Sequence, residues 1–272
     1  MPFPRRFRIQ ESRTKGEEIM NARMFRFSIL TLAAGAVMLA GMARAAEIKV
    51  LASPACRESY LELVPQFEKA SGHKVVTMWA GTADIMKRIK EGEVVDAVVL
   101  STTSLEELVK LGKVVPGSRV DLARSGVGVA VRAGAPRPDI SSGEALKRAL
   151  LAAKSIAYSS GPSGTYLAGL FQRMGIADEI KGKLKQAPPG VAVGDYIARG
   201  DAEIGFQQVS ELLPVAGIDY IGPLPADIQT ITVFAGGIHT GAKEPGAAKA
   251  WFQFFTAPSS APVLNKHGME PG

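Results

Sequence analysis

The sequence predicts an α/β protein folded as two lobes with a ligand cleft between them. Three observations carry that expectation. Short apolar, β-branched runs alternate with segments of helical spacing, the order that builds a parallel sheet between helices. The alternation occurs in two successive units. Three strand ends carry Gly, Ser and Thr, in "LASPA", "MWAGTA" and "SSGPSGT". Open α/β sheets bind ligands at such places, beyond the carboxyl ends of their strands.

In the first unit "EIKVLAS" reads as a strand. Tyr60, Leu61, Val64 and Phe67 then fall on one helical face, with Pro65 as a point for a kink. "HKVVTMW" is the second strand, and Ile85, Met86 and Ile89 mark the second helix. "VVDAVVLS" is short and apolar enough for a strand buried on both faces. The second unit opens with the strand "GVGVAVRAG" and a helix from Glu144 to Ala153. "SIAYSS" is a further strand, followed by a helix with Leu167, Leu170, Phe171 and Met174 at i, i+3, i+4 and i+7. "AEIGFQQ" is another strand, and "ITVFAGGI" reads as one that returns toward the first lobe. A closing helix turns Ala247, Ala250, Trp251 and Phe254 inward, and a second short helix precedes His267-Gly268. The chain is expected to cross between lobes near Gly126–Val129 and Thr230–Val233. Lobe I is then residues 46–127 plus 232–272, and lobe II is 128–231.

The first 45 residues read as a leader. Arg23 and Arg26 precede an apolar stretch from Phe27 to Met42, and Ala43-Arg44-Ala45 gives small residues at a cleavage site. A basic flank, a short apolar core and an A-x-A site describe a secretory signal peptide, cleaved after Ala45 or Ala46. The apolar stretch is shorter than the ~20 residues of a membrane span. Residues 1–19 fit neither leader nor domain, and translation is expected to begin at Met20 or Met24. The leader holds eight Lys/Arg and three Glu, a net +5 of the whole chain's +6. About +1 remains for the mature protein, which argues against nucleic-acid binding. Cys56 is the single cysteine, so no internal disulfide forms, and it reads as a small buried side chain. The expected compartment is the periplasm.

The start of the second helix admits two readings. Thr82 caps it through its hydroxyl, or the small residues Gly81 and Thr82 let an anion approach the free first-turn N–H groups. Three Gly/Ser/Thr strand ends, with helix starts at Thr82 and Ser163–Gly164 expected to face each other, favour the anion site. Catalytic signals are absent. His73, His239 and His267 lack metal-ligand spacing; "GPSGT" is not the G-x-S-x-G elbow, and "SGPSGT" lacks a P-loop lysine. No enzyme activity, metal or cofactor is expected.

The arrangement, with its export signal, resembles the periplasmic solute-binding proteins of ABC transporters, in the type II class with two crossover strands. Within it the likeness is to the molybdate-binding family, in "PQFEKASGHKV", "AGTADIMKRIKEGEVVDAVV" and "EPGAAKAWFQFFTAPSSAPVLNKHGM". The resemblance implies where an oxyanion would be held. The serine of the first strand–helix turn falls at Ala55, which loses the hydroxyl, with Ser53 two residues away. The serine of the second turn falls at Thr82, behind Gly81. Backbone contacts fall at Ser163, between Pro162 and Gly164, and near Gly190, and the family's late tyrosine falls at Gln208. Neutral N–H and O–H dipoles suffice for a tetrahedral dianion. Asp84, in the first turn beside Thr82, argues against molybdate if it points into the cleft. Trp79 and Arg57 suit an organic anion, or else belong to core and surface. The implied function is capture of a molybdate-like oxyanion or small organic anion by a monomer that delivers it to an inner-membrane ABC permease. Presentation to a sensor receptor is the alternative.

Overall fold

The structure, a computed structural model, describes residues 45–272. The predicted leader, with its apolar stretch and the start at Met20 or Met24, lies outside the described residues. Among these, no helix is long and apolar enough to cross a membrane.

The first half runs β1 (Glu47–Ala52), α1 (Arg57–Ser71), β2 (Lys74–Trp79), α2 (Thr82–Lys90), β3 (Ala97–Ser101) and α3 (Thr102–Lys110), then the long β4 (Val120–Arg132). The second runs α4 (Gly143–Ala152), β5 (Ile156–Tyr158), α5 (Pro162–Arg173), α6 (Ala177–Ile180), β6 (Leu184–Gln186), α7 (Val193–Ala198), β7 (Ile204–Gln208), α8 (Val209–Leu212) and β8 (Ile218–Pro223). The chain returns through β9 (Ile231–Ile238) and ends in α9 (Pro245–Phe255), α10 (Ala261–Lys266) and β10 (Glu270–Pro271). Strand order is β2-β1-β3-β9-β4-β7-β5-β6. β1 lies parallel to β2 and β3, and β5 parallel to β6 and β7. The antiparallel pair β4 and β9 joins these two parallel groups.

This is the predicted mixed α/β, two-lobed architecture. β4 changes partner in mid-strand: Val120–Gly126 pairs with β9, whereas Val127–Val131 pairs with β7. Gln229 secures the crossing, since its Oε1 accepts from Val127 N–H at 3.0 Å and its Nε2 donates to Val127 C=O at 3.0 Å. Each parallel group has its own core. Ala97 and Val99 of β3 pack into a cluster with Tyr60, Phe67, Trp251 and Phe255, while Val98 and Leu100 pack on the other face with Ile85, Ile89 and Leu105. The strand is thus buried on both faces, as its unbroken apolar run requires. In the second group Leu146, Leu167, Phe171 and Phe206 form one cluster. Val193, Ile197 and Leu212 belong to another.

Helix α1 departs from its expected face. Tyr60 and Phe67 turn inward as expected and Val64 packs at the edge of the core, but Leu61 is 54% exposed, and Ser59 and Leu63 are buried in its place. The aromatic pair Tyr60 and Phe67 sets the rotation by packing against Trp251 at 4.9 and 5.2 Å between ring centres. The helix runs on through Pro65. In helix α9 Ala247 and Trp251 are buried as expected and Ala250 and Phe254 pack at the edge of the core, with Phe252 and Phe255 more buried than those two. Asp96 is a structural fastener. Its buried carboxylate accepts from the backbone N–H of Lys49 at 2.8 Å, Lys243 at 2.8 Å and Glu244 at 2.9 Å, tying β1 to the start of α9.

Candidate functional site

Where the carboxyl ends of β1, β2, β5 and β7 meet, the two lobes enclose a small cavity of about 30 Å³. On that measure a water needs roughly 10–15 Å³, so the lobes as they stand leave room for about two. One wall comes from Ser53, Pro54, Gly81 and Thr82, and the other from the segments Ser159–Ser163, Pro188–Val191 and Gln207–Glu211. No Lys or Arg is among the lining residues.

Two helix N-termini point into this space from opposite lobes. Helix α2 has Gly81 as its N-cap, and no side chain caps it. Thr82 is the first helical residue, so its expected capping role is not the one it has. Among the described residues its hydroxyl makes no hydrogen bond. The first intrahelical bond runs from Ile85 N–H to Gly81 C=O at 3.0 Å, leaving the N–H groups of Thr82, Ala83 and Asp84 without helical partners. Helix α5 starts at Gly161-Pro162, again without a side-chain cap. Its first bond is Thr165 N–H to Gly161 C=O at 3.1 Å, which frees the N–H groups of Ser163 and Gly164. The Ser163 and Ser159 hydroxyls lie 2.8 Å apart. Ser53 caps the Pro54–Cys56 turn weakly, accepting from Ala55 N–H at 3.4 Å, and lines the cavity.

The walls touch at a pair of glycines. A Cβ on Gly81 would lie 2.6 Å from Gly190 N and 2.8 Å from Pro189 Cβ. Gly190 has φ +77°, in the left-handed region that favours glycine. Only glycine at 81 allows the two backbones this approach.

Of the sequence-predicted residues, Ser53, Gly81, Thr82, Ser163 and Gly190 line the cavity. Ala55 does not: it is buried in the lobe I core. Gly164 packs tightly against the residue that follows β5, where a Cβ would fall 1.6 Å from Ser159 O. Gln208 points elsewhere. In the amide orientation that satisfies both ends, its NH₂ donates to Ser125 C=O at 2.9 Å and Gly126 C=O at 3.2 Å, and its carbonyl accepts from Thr232 Oγ1 at 2.9 Å. Gln208 therefore joins the crossing segments of β4 and β9. Its neighbour Gln207 lines the cavity instead, because successive strand residues face opposite sides. Asp84 is exposed and does not line the cavity. Trp79 packs edge-on against Tyr60 at 5.5 Å, and Arg57 lies exposed on α1.

Sequence reasoning missed Glu211. It sits in the first turn of the helix that follows β7, the position Asp84 holds after β2, and that parallel was the available signal. Its carboxyl lines the cavity with Gln207 Nε2 donating to Oε1 at 2.8 Å. Removal from water pushes its pKa from 4.5 up to about 7, against the opposing pull of the Gln207 hydrogen bond. Across the cleft, burial and the nearby Glu211 charge raise the Cys56 thiol, which stays neutral. The site thus combines neutral donors suited to an anion with one carboxyl poised near neutrality.

The model of a bacterial extracellular solute-binding protein family matches residues 48–270, nearly all of the described chain. The chain belongs to this family. Among solute-binding relatives, it is 29% identical over 253 residues to the molybdate-binding protein ModA of Azotobacter vinelandii, covering 90% of this chain and 98% of that protein. The solved structure of the Azotobacter vinelandii periplasmic molybdate-binding protein superposes with a TM-score of 0.69 at 20% identity, covering 82% and 98% of the two chains. A relative of another kind is an aconitate isomerase from a Pseudomonas species, 37% identical over 252 residues, covering 89% of this chain and 96% of that protein.

Proposed function

We propose that this solute-binding protein captures a small anion in the cavity between its lobes and delivers it to an ABC permease in the inner membrane. The observation that carries the reading is the pair of uncapped helix N-termini, α2 and α5, opening into one cavity beside the hydroxyls of Ser53, Thr82 and Ser163. Their N–H groups and dipoles favour negative charge without any basic side chain. In this reading the signal peptide is removed near Ala45, the mature chain works in the periplasm, and the lobes are residues 46–127 plus 232–272 and 128–231. The cavity's size fits an oxyanion or one carboxylate group of a larger anion that enters as the lobes part. Titration calorimetry with molybdate, tungstate, sulfate, phosphate and small carboxylates tests it. Saturable binding of an anion that weakens in Thr82→Ala supports the reading, and indifference to all of them refutes it.

A second reading is favoured by Glu211. A binding site for a fully ionised dianion has no use for a carboxyl in its wall, since two like charges ~4 Å apart repel by about 4 kcal/mol at a protein surface. The 37% identity to an aconitate isomerase agrees with a cavity that acts on a small carboxylate rather than only holding it. Interconversion of cis- and trans-aconitate, followed by proton NMR, separates catalysis from capture.

A further inference from the structure

We propose that Glu211 is the catalytic proton carrier of the cleft, moving a proton between two carbons of a bound unsaturated polycarboxylate. The inference rests on the second reading above and deepens it to a named residue and step. Four observations support it.

Glu211 lines the same cavity as the anion-directed donors, on the wall opposite Ser53, Gly81 and Thr82. Its position is fixed. Gln207 Oε1 accepts from Val193 N–H at 2.8 Å while Gln207 Nε2 donates to Glu211 Oε1 at 2.8 Å, so both ends of the amide are committed. Oε1 is thereby held, and Oε2 is left for a ligand.

The surroundings leave the carboxyl free to exchange a proton. Cys56, in the turn that packs against α8, is the ionisable group coupled to it, and that thiol is neutral. On β4, which also packs against α8, Asp121 is paired with Arg119 and Arg124 with Glu270. Neither these, Arg132 of β4, nor Asp195 and Tyr196 of α7 shifts the Glu211 carboxyl, whose displacement comes from burial opposed by Gln207. With a pKa near 7, acid and base forms coexist at neutral pH, the condition for a group that must take a proton and return it.

The donors supply what such a step needs. A carbon-bound proton next to a carboxylate is removed only if the charge spreading onto the carboxylate oxygens is stabilised. Free N–H groups of α2 and α5 with the Ser53 and Thr82 hydroxyls are placed for that. In the step, ionised Glu211 takes the proton and the C–H electron pair becomes a new C=C bond. The original C=C pair moves to the far carbon, which receives the proton back from Glu211. The formula is unchanged, and no oxidant, reductant or cofactor takes part. Aconitate, named in the 37% identical relative, belongs to this substrate class.

The test uses the chain without its leader in D₂O, with cis- and trans-aconitate as probes. Proton NMR reads deuterium entry and isomer interconversion, and calorimetry reads binding. The wild type should bind and interconvert the isomers, with kcat/KM rising with pH through about 7. Glu211→Gln, which keeps the shape, should still bind but lose turnover by roughly 10²–10⁴-fold, and Glu211→Asp should retain part of it. A wild type that neither exchanges nor interconverts overturns the second reading and this inference together. Activity that persists undiminished in Glu211→Gln overturns the assignment of Glu211 alone. Calorimetric binding of either isomer or of molybdate judges the anion site separately.

Discussion

Replacing Gly81 by alanine tests how the lobes close. The Gly81 backbone, at φ −65° and ψ 155°, is open to alanine, so the substitution brings no backbone strain. The added Cβ would stand 2.6 Å from Gly190 N, about 0.8 Å inside the 3.4 Å of ordinary contact. Its neighbours there are the backbone atoms Gly190 N and Pro189 C and the ring carbon Pro189 Cβ, none of which can rotate away, so the walls must separate by nearly that distance. A ligand hydrogen bond of ~2.9 Å stretched to ~3.7 Å is no longer one. Losing one bond to a charged ligand costs about 1.5–3 kcal/mol, or roughly ten- to a hundredfold in affinity. Calorimetry with the best-binding anion measures that loss, and small-angle scattering of the liganded variant should show a larger radius of gyration than liganded wild type. Gly246→Ala, where a Cβ meets nothing within 4 Å, is the control. Wild-type affinity and compaction in Gly81→Ala would show that the cavity does not bind by closure at this contact.

Thr82→Ala should lower anion affinity by a similar ten- to hundredfold. Its stability in urea should barely change, because the hydroxyl caps nothing, whereas loss of a true cap would cost ~1 kcal/mol. Gln208→Ala should destabilise the protein by about 2–3 kcal/mol, read as a lower urea midpoint, since it strands buried carbonyls of Ser125 and Gly126. A site role for Gln208 would instead show as lost affinity at unchanged stability. Glu211 also makes stability depend on pH. Its folded pKa, about 7, is raised above the 4.5 of the free side chain, so its contribution is whole below pH 4.5 and is lost as pH rises through 7. Glu211→Gln should remove a decline of at most about 3 kcal/mol over that window, and identical pH profiles for the two proteins would refute the raised pKa of Glu211.

The sequence by itself determined the alternation of strands and helices and where most of them lie. Local periodicity carries that information: "ITVFAGGI" is β9 residue for residue, and Ile85, Met86 and Ile89 are the buried face of α2. It also pointed to the Gly/Ser/Thr strand ends, nine of whose residues line one cavity together with Gly190. The rotation of α1 escaped it, because Leu61 and Leu63 are equally apolar and only the Trp251 and Phe255 rings decide which one faces the core. Short elements such as β6, α7 and α8 escaped it as well, being too brief to show a period. The choice between Gln207 and Gln208 could not be made from identical neighbours. One faces the cavity and the other the crossing strands, since a shift of one residue reverses the face of a strand. The Gly81–Gly190 contact joins positions more than a hundred residues apart, and Glu211 gains its raised pKa from burial in the cleft that distant segments enclose. Both properties come from distant segments meeting, so no local stretch contains them and only the tertiary structure decides them.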